Sequence, residues 1–501
     1  MNRESVKLIS LVVLGATLGL AQVVAKPGGS GPGGEQQGDG NRGGGGGYSQ
    51  GVGKPLGDPN GEYGVFFAIG APMQECENGD STPPTEAPTG FDNLSNGYLP
   101  QGPDFNTITD SNVFQSFNIA DTTFNEDRFE FEEVETIADG LGPIYNAQSC
   151  RECHQNVVTG GASQLPELRS IRLTDGVFFN SLGGALIQAR ATFPDIVEHV
   201  QPSDNITTFR GALTTLGDGF VEAIANETLL SIRDNQPVAM RGIPIVVPVL
   251  EAVLTNVSAP SNNPVTAPNA FTLDPTNHVM RIGRFGWKCQ HASIFSFAGD
   301  AYLNEEGITN PLFPDENLSD GMYVGFGTIY DPVPDPEDNG LDLVSFTGFI
   351  RSTKAPSRGP ITNGVPQGEQ VFSQIGCAVC HVPSITTAPP GTVINGGTFV
   401  VPPALGNKVI HPYSDFLGHN IGTSDGIPIQ NLPEYYYTAT NMRTAPLWGL
   451  RTRNRLFHDT LTFTLQEAIQ RHSGQAAGVV ANFNALPPAS QTNLFLFLNS
   501  L

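Results

Sequence analysis

The chain has 501 residues, with 25 Lys and Arg against 49 Asp and Glu, for a net charge of −24. Such acidity excludes a nucleic-acid binder, whose phosphate contacts need a basic face. Charged residues are only 15% of the chain, and 58 Gly with 40 Pro point to a loop-rich fold of two or three domains.

In chain order, Arg3 and Lys7 precede an apolar run from Leu8 to Leu20, followed by small residues ending at Ala25. This is the pattern of a secretory signal peptide covering residues 1–25, and it predicts a periplasmic or secreted protein. No other stretch has transmembrane length, so no membrane span is expected in the mature chain. Residues 26–53 hold 14 glycines in 28 positions, and residues 26–60 are expected to be a disordered linker that buries no core.

The next signal is Cys150-Arg151-Glu152-Cys153-His154, repeated 227 residues later as Cys377-Ala378-Val379-Cys380-His381. Each unit is C-x-x-C-H, the attachment signature of c-type haem. Two thiols on one helical turn reach the two vinyl groups of one porphyrin, and the adjacent His presents its imidazole to the iron. The pattern predicts two covalently bound c-type haems, attached through Cys150, Cys153, Cys377 and Cys380, with His154 and His381 as iron ligands. A Cys₄ zinc site leaves the His after each pair without a role. A thioredoxin-like C-x-x-C requires a βαβ setting that neither flank shows.

Around the first unit, helices are predicted over Asn125–Gly142, Ser181–Thr192 and Gly217–Arg233, with strands or loops over 236–280. The acidic run 126–139 reads as a solvated face. Asp331–Asp338 (DPVPDPED) is a turn-rich connection. Beyond it, Gly368–Gly376 is an amphipathic helix leading into Cys377, and Ala489–Leu501 is a terminal apolar helix behind Pro487-Pro488. A helix entering C-x-x-C-H and a last helix closing over it is the small cytochrome c arrangement. The expected fold is therefore mainly α with much irregular structure, in two cytochrome c-like haem domains over residues 61–335 and 336–501.

Several segments carry a resemblance. They are Gly142–Gln155 (GPIYNAQSCRECHQ), Arg281–Asn310 (RIGRFGWKCQHASIFSFAGDAYLNEEGITN), Ile375–Thr387 (IGCAVCHVPSITT), Ile410–His419 (IHPYSDFLGH) and Met442–Gly474 (MRTAPLWGLRTRNRLFHDTLTFTLQEAIQRHSG). Over roughly residues 110–501 the chain resembles the di-haem oxidoreductases, relatives of bacterial dihaem cytochrome c peroxidases. The resemblance implies that the Cys150 haem meets hydrogen peroxide or another small oxidant. The Cys377 haem would take electrons from a small redox protein or other donor. It sets His472 where the relatives carry a Met ligand, within Ala468-Ile469-Gln470-Arg471-His472, so bis-His ligation is expected there instead of His–Met. His–Met ligation raises the potential, so this exchange implies a lower-potential second haem. It likewise implies that Trp287 is an inter-haem electron relay, and that Glu305 or Glu306 assists peroxide cleavage, with Glu305 the first choice.

Other residues stay open. His291, His411 and His419 each fit a distal ligand, a proton relay or a structural loop His, and His458 fits a supporting or packing role. Cys76 and Cys289 are a candidate disulfide. Two functions compete with peroxide reduction: oxidation of a protein or organic substrate on the same scaffold, and electron transfer without catalysis.

Overall fold

The computed structural model describes residues 82–103, 122–257, 270–273, 279–430 and 432–501. The predicted leader, the Gly-rich stretch and Cys76 lie outside the described residues. The α-helices among the described residues are, in chain order, α1 (Phe124–Glu132), α2 (Cys150–Cys153), α3 (Asp218–Glu222), α4 (Asn226–Asn235), α5 (Ile294–Ala301), α6 (Leu341–Ser352), α7 (Val365–Ile375), α8 (Leu465–Gln470), α9 (Ala477–Asn484) and α10 (Pro488–Leu498). Helix outweighs strand, 31% to 16%, and long irregular connections join the elements.

Helix α1 begins with a capping box. The Thr123 hydroxyl accepts from the Glu126 amide, and the Glu126 carboxylate accepts from the Thr123 amide at 2.8 Å. The helix ends at Glu132, ten residues short of the expected boundary at Gly142. Its last turn has acids and no basic residue, which opposes the helix dipole at that end. Nor is the acidic run after Glu126 a solvated face throughout. Asp127 and Glu135 are buried, and the Tyr302 hydroxyl donates to Glu135 at 3.0 Å. On the same face as Asp127, Phe124 and Phe131 lie 5.4 and 4.8 Å from Phe349 of α6, ring centre to ring centre. Burial of each such ring contributes about 1.5–3 kcal/mol.

An antiparallel sheet follows α2. Its central strand, Pro166–Thr174, pairs with Val177–Asn180, Leu186–Ile187 and Ile206–Gly211. The helix expected over Ser181–Thr192 is therefore absent. Gly183 and Gly184 disfavour helix there, and the central strand offers Leu186 and Ile187 a ladder that satisfies their backbone. Helices α3 and α4 occupy the stretch predicted from Gly217 to Arg233. The strands Val246–Pro248, Leu254–Val257, Ala270–Leu273 and Met280–Ile282 fall in or at the end of the stretch read as strands or loops.

In the last third, α7 leads straight into Cys377, and α10 packs across α7. Gly368 lets them approach: a Cβ there would sit 2.0 Å from the Asn493 carbonyl oxygen. Phe372 of α7 meets Phe497 of α10 at 5.2 Å, within a core that includes Ile375, Tyr413, Phe483 and Leu494. A larger core joins Phe131, Phe220, Phe285 and Phe349 to Leu405, Ile410, Phe416 and Trp448. The strand Thr85–Glu86 adds in parallel to Lys408–Ile410, so early and late segments share a sheet.

Candidate functional site

Two cavities open inside this frame, one at each C-x-x-C-H unit. The first, about 380 Å³, is lined by Cys150, Cys153 and His154. Helix α2 is a single turn, which puts both thiols and the His at one wall. His154 Nδ1 lies 3.1 Å from the Gly161 carbonyl oxygen, so its N–H is directed there and Nε2 is the nitrogen left for a metal. Burial pushes His154 below the usual imidazole range, which favours the neutral, ligating form.

Across this cavity runs Tyr302–Glu306, a wide turn with i→i+5 spacing that continues α5 and carries Glu305 and Glu306. Such widened turns re-aim side chains and recur at functional sites. The structure separates the two acids. Glu306 Oε1 is 3.2 Å from Cys150 Sγ, at the thiol edge. Glu305 accepts from Asn146 Nδ2 at 2.8 Å and adjoins the Glu167 carboxyl. Burial, reinforced by Glu167, pushes Glu305 well above the carboxylate range, and burial lifts Glu306 to about 8. Burial also opposes charge on Glu167, but Arg169, with Nε 2.5 Å from its Oε1, outweighs it and keeps Glu167 ionised. Glu305 and Glu167 thus share one proton beside a guanidinium.

Cys377, Cys380 and His381 line the second cavity, about 210 Å³, together with His472. His381 Nδ1 is 2.9 Å from the Tyr413 carbonyl oxygen, and His472 Nδ1 is 2.8 Å from that of Ala468. Both rings therefore keep Nε2 for a metal. Their centres are 6.5 Å apart. Two imidazoles on one metal ion, each at roughly 2 Å, would have centres about 6 Å apart, so the pair fits a shared iron. Burial, then the neighbouring His472, depresses His381 to about 4, and burial also lowers His472.

The cavities meet at Gly211, Ala212, Leu213, Trp287 and Arg443, which line both. Trp287 Nε1 donates to the Gly211 carbonyl at 2.7 Å, which fixes the indole in the partition. Of the remaining histidines among the described residues, none lines the first cavity. His291 is buried beside Ser296 and Asp300, and His411 pairs with Glu86 at the surface. His419 and His458 line the second cavity. His419 Nε2 bonds Asp415 at 2.8 Å, and His458 stands edge-on to Trp287 at 6.0 Å. Cys289 is buried, its thiol 3.5 Å from the Phe416 carbonyl oxygen.

Sequence reasoning missed Asn146, Glu167, Arg169 and Arg443. A signal existed for one pair: Glu167 and Arg169 alternate on a strand and so share a face.

Residues 194–501 match the family described as "Di-haem oxidoreductase, putative peroxidase". The match begins after the Cys150 unit. No curated protein matches the chain. Similar solved structures include a MauG-like protein associated with microbial copper homeostasis, at 15% identity and TM-score 0.23, covering 34% of this chain. The chain spans only 55% of that protein's length. Kuenenia stuttgartiensis hydrazine synthase is 13% identical with TM-score 0.31, covering 80% of this chain and 100% of its own. The diheme peroxidase BthA from Burkholderia thailandensis is 14% identical with TM-score 0.26, covering 67% of this chain and 94% of its own.

Proposed function

Because the chain belongs to the di-haem oxidoreductase family, we propose that it is an exported c-type di-haem peroxidase. In this reading peroxide is reduced at the Cys150–His154 haem, and electrons enter through the Cys377–His381 haem from a small redox protein. Leader removal after Ala25 would deliver it to the periplasm or medium; among the described residues no helix is long and apolar enough to cross a membrane. The two halves would be cytochrome c-like domains meeting near residue 336.

The observation that carries the reading is the unequal lining of the two cavities. The second offers paired imidazoles, His381 and His472, for one iron. The first offers one imidazole, His154, and a proton-sharing carboxyl pair beside Arg169. Each thiol would add its S–H across a vinyl group, making the thioethers at Cys150, Cys153, Cys377 and Cys380. Bound haem would supply the redox-active iron and hold electrons between the two reductions.

The chain's own residues do the rest. Once its own proton has passed to the adjoining Glu167 carboxylate, Glu305 takes the proton from the near peroxide oxygen and returns it to the departing one. Glu167 and Arg169 set how readily that proton leaves, and Asn146 fixes the orientation of the carboxylate. Glu306 lines the cavity at the Cys150 edge, where the sulfur would carry no proton for it once the thioether forms. Trp287 bridges the partition as the relay. Overall, H₂O₂, two electrons and two protons give two waters, the electrons coming from two reduced donor molecules.

A pyridine haemochrome assay with steady-state peroxide turnover tests this. Two thioether haems per chain and turnover with a reduced one-electron donor are expected. Fewer than two haems, or two haems with no turnover in any redox state, would overturn the reading.

A further inference from the structure

The loop between the wide turn and α6, residues 307–340, holds seven acids that no step above uses, and four of them converge. One carboxylate oxygen from each of Glu316, Asp331, Asp335 and Glu337 lies within 4.8 Å of the others. Glu316 is 9% exposed and Asp331 4%. Both oxygens of Glu316, Oδ2 of Asp331, Oδ1 of Asp335 and Oε1 of Glu337 are buried with no hydrogen-bond partner among the described residues. Burying a carboxylate without a partner is costly, so such groups are paired, protonated or bound to metal.

The loop is held in a way that presents these oxygens. Asp331 Oδ1 accepts from the Val333 amide at 3.0 Å, and Glu337 Oε2 accepts from the Thr309 amide at 2.8 Å. In each case one oxygen fixes the backbone and the other is left over. No basic side chain is at hand in this stretch: the sequence has no Lys or Arg between Lys288 and Arg351. Four ionised carboxylates this close repel one another strongly. A cation among the four would relieve that repulsion.

We propose that Glu316, Asp331, Asp335 and Glu337 form a calcium site that locks the 307–340 loop. The donor set is all oxygen, which selects a hard cation over zinc or copper. Calcium accepts 6–8 oxygens at about 2.3–2.6 Å, so oxygens on opposite sides of one ion stand roughly 5 Å apart, which matches the cluster. Magnesium keeps most of its waters and seldom uses four carboxylates. The loop's grip on Thr309 lies three residues past Glu306. Bound calcium therefore steadies the segment that carries Glu305, and it does so whether or not the first cavity reduces peroxide.

The test uses the full-length holoprotein, treated with chelator and titrated with CaCl₂ by calorimetry, with MgCl₂ as control. The wild type is expected to bind one more Ca²⁺ per chain than Glu316→Gln/Asp331→Asn, and calcium is expected to raise its Tm by several degrees. In chelator, the double variant is expected to match or exceed the wild type in Tm, because its like charges are gone. The single variant Glu316→Gln, which keeps the side-chain shape, is expected to weaken calcium at least tenfold. Equal calcium stoichiometry and equal calcium-induced Tm shifts in wild type and variants would overturn the proposal. So would a wild type that gains stability only from acid, with its carboxyls protonated, and nothing from calcium.

Discussion

The two cavities are built from similar pentapeptides but present different surroundings to a metal. Around Cys150 the single imidazole shares its cavity with Glu305, Glu167 and Arg169. Around Cys377 the imidazole of His381 has a second imidazole 6.5 Å away, ring centre to ring centre, and Phe372 and Phe457 beside the two rings. Two held imidazoles leave an iron no free position, whereas one imidazole and a proton-sharing carboxyl pair leave a position and a proton for chemistry. In the proposed reading a short motif sets where a haem attaches, and the distant residues folded against it set what the haem can do.

Substitutions can break this contrast from either side. The largest effect is expected from Glu305→Gln. Losing the proton carrier lowers peroxide turnover roughly 10²- to 10⁴-fold, with the spectrum of the second haem unchanged, measured by stopped-flow with a reduced donor. Glu306→Gln, at the Cys150 edge, lowers it far less. Next is Phe497→Ala, which empties the α7–α10 contact and costs about 3–5 kcal/mol in denaturant unfolding. Its spectral change is confined to the second haem. His472→Met sharpens the comparison without emptying the site. It raises the midpoint potential of the second haem in a spectroelectrochemical titration, because a thioether favours ferrous iron more than imidazole does, while the first haem stays put.

Taken per pH unit, the smallest effect is that of pH. Asp127 is buried under α6, and burial lifts its carboxyl from 3.8 to about 8. Its folded value exceeds its unfolded value, so the folded state holds the extra proton between them. Stability is therefore lost as pH rises from about 4 to about 8, by at most about 1.4 kcal/mol per pH unit for this group. Asp127→Asn flattens that slope, seen as Tm against pH, and leaves the α7–α10 half unaffected.

Legibility in the sequence followed locality. Both C-x-x-C-H units are contiguous, and their spacing alone suggests the chemistry proposed for them. Helix α7 carries its own stop signal at Gly376, and α10 its own start signal at Pro487-Pro488. His472 was reachable through its register in a recognisable segment, and Trp287 likewise. Glu167, Arg169 and Asn146 were not, because they come from a strand and a loop that approach Glu305 only after folding. The four converging acids of the 307–340 loop are spread over 22 positions, three of them in the stretch read only as a turn-rich connection, and their burial shows only in the fold. The helix expected at Ser181–Thr192 failed because pairing with the central strand outweighed local pattern.

The central claim is that one haem is closed by two histidines and the other is open beside Glu305. Electron paramagnetic resonance of the ferric holoprotein, alone and during a peroxide titration, tests it most directly. The account predicts one low-spin signal of the bis-histidine kind that peroxide leaves in place, lost in His472→Ala, and one high-spin signal that peroxide changes. Two low-spin signals, both indifferent to peroxide in the oxidised and half-reduced protein, would contradict it.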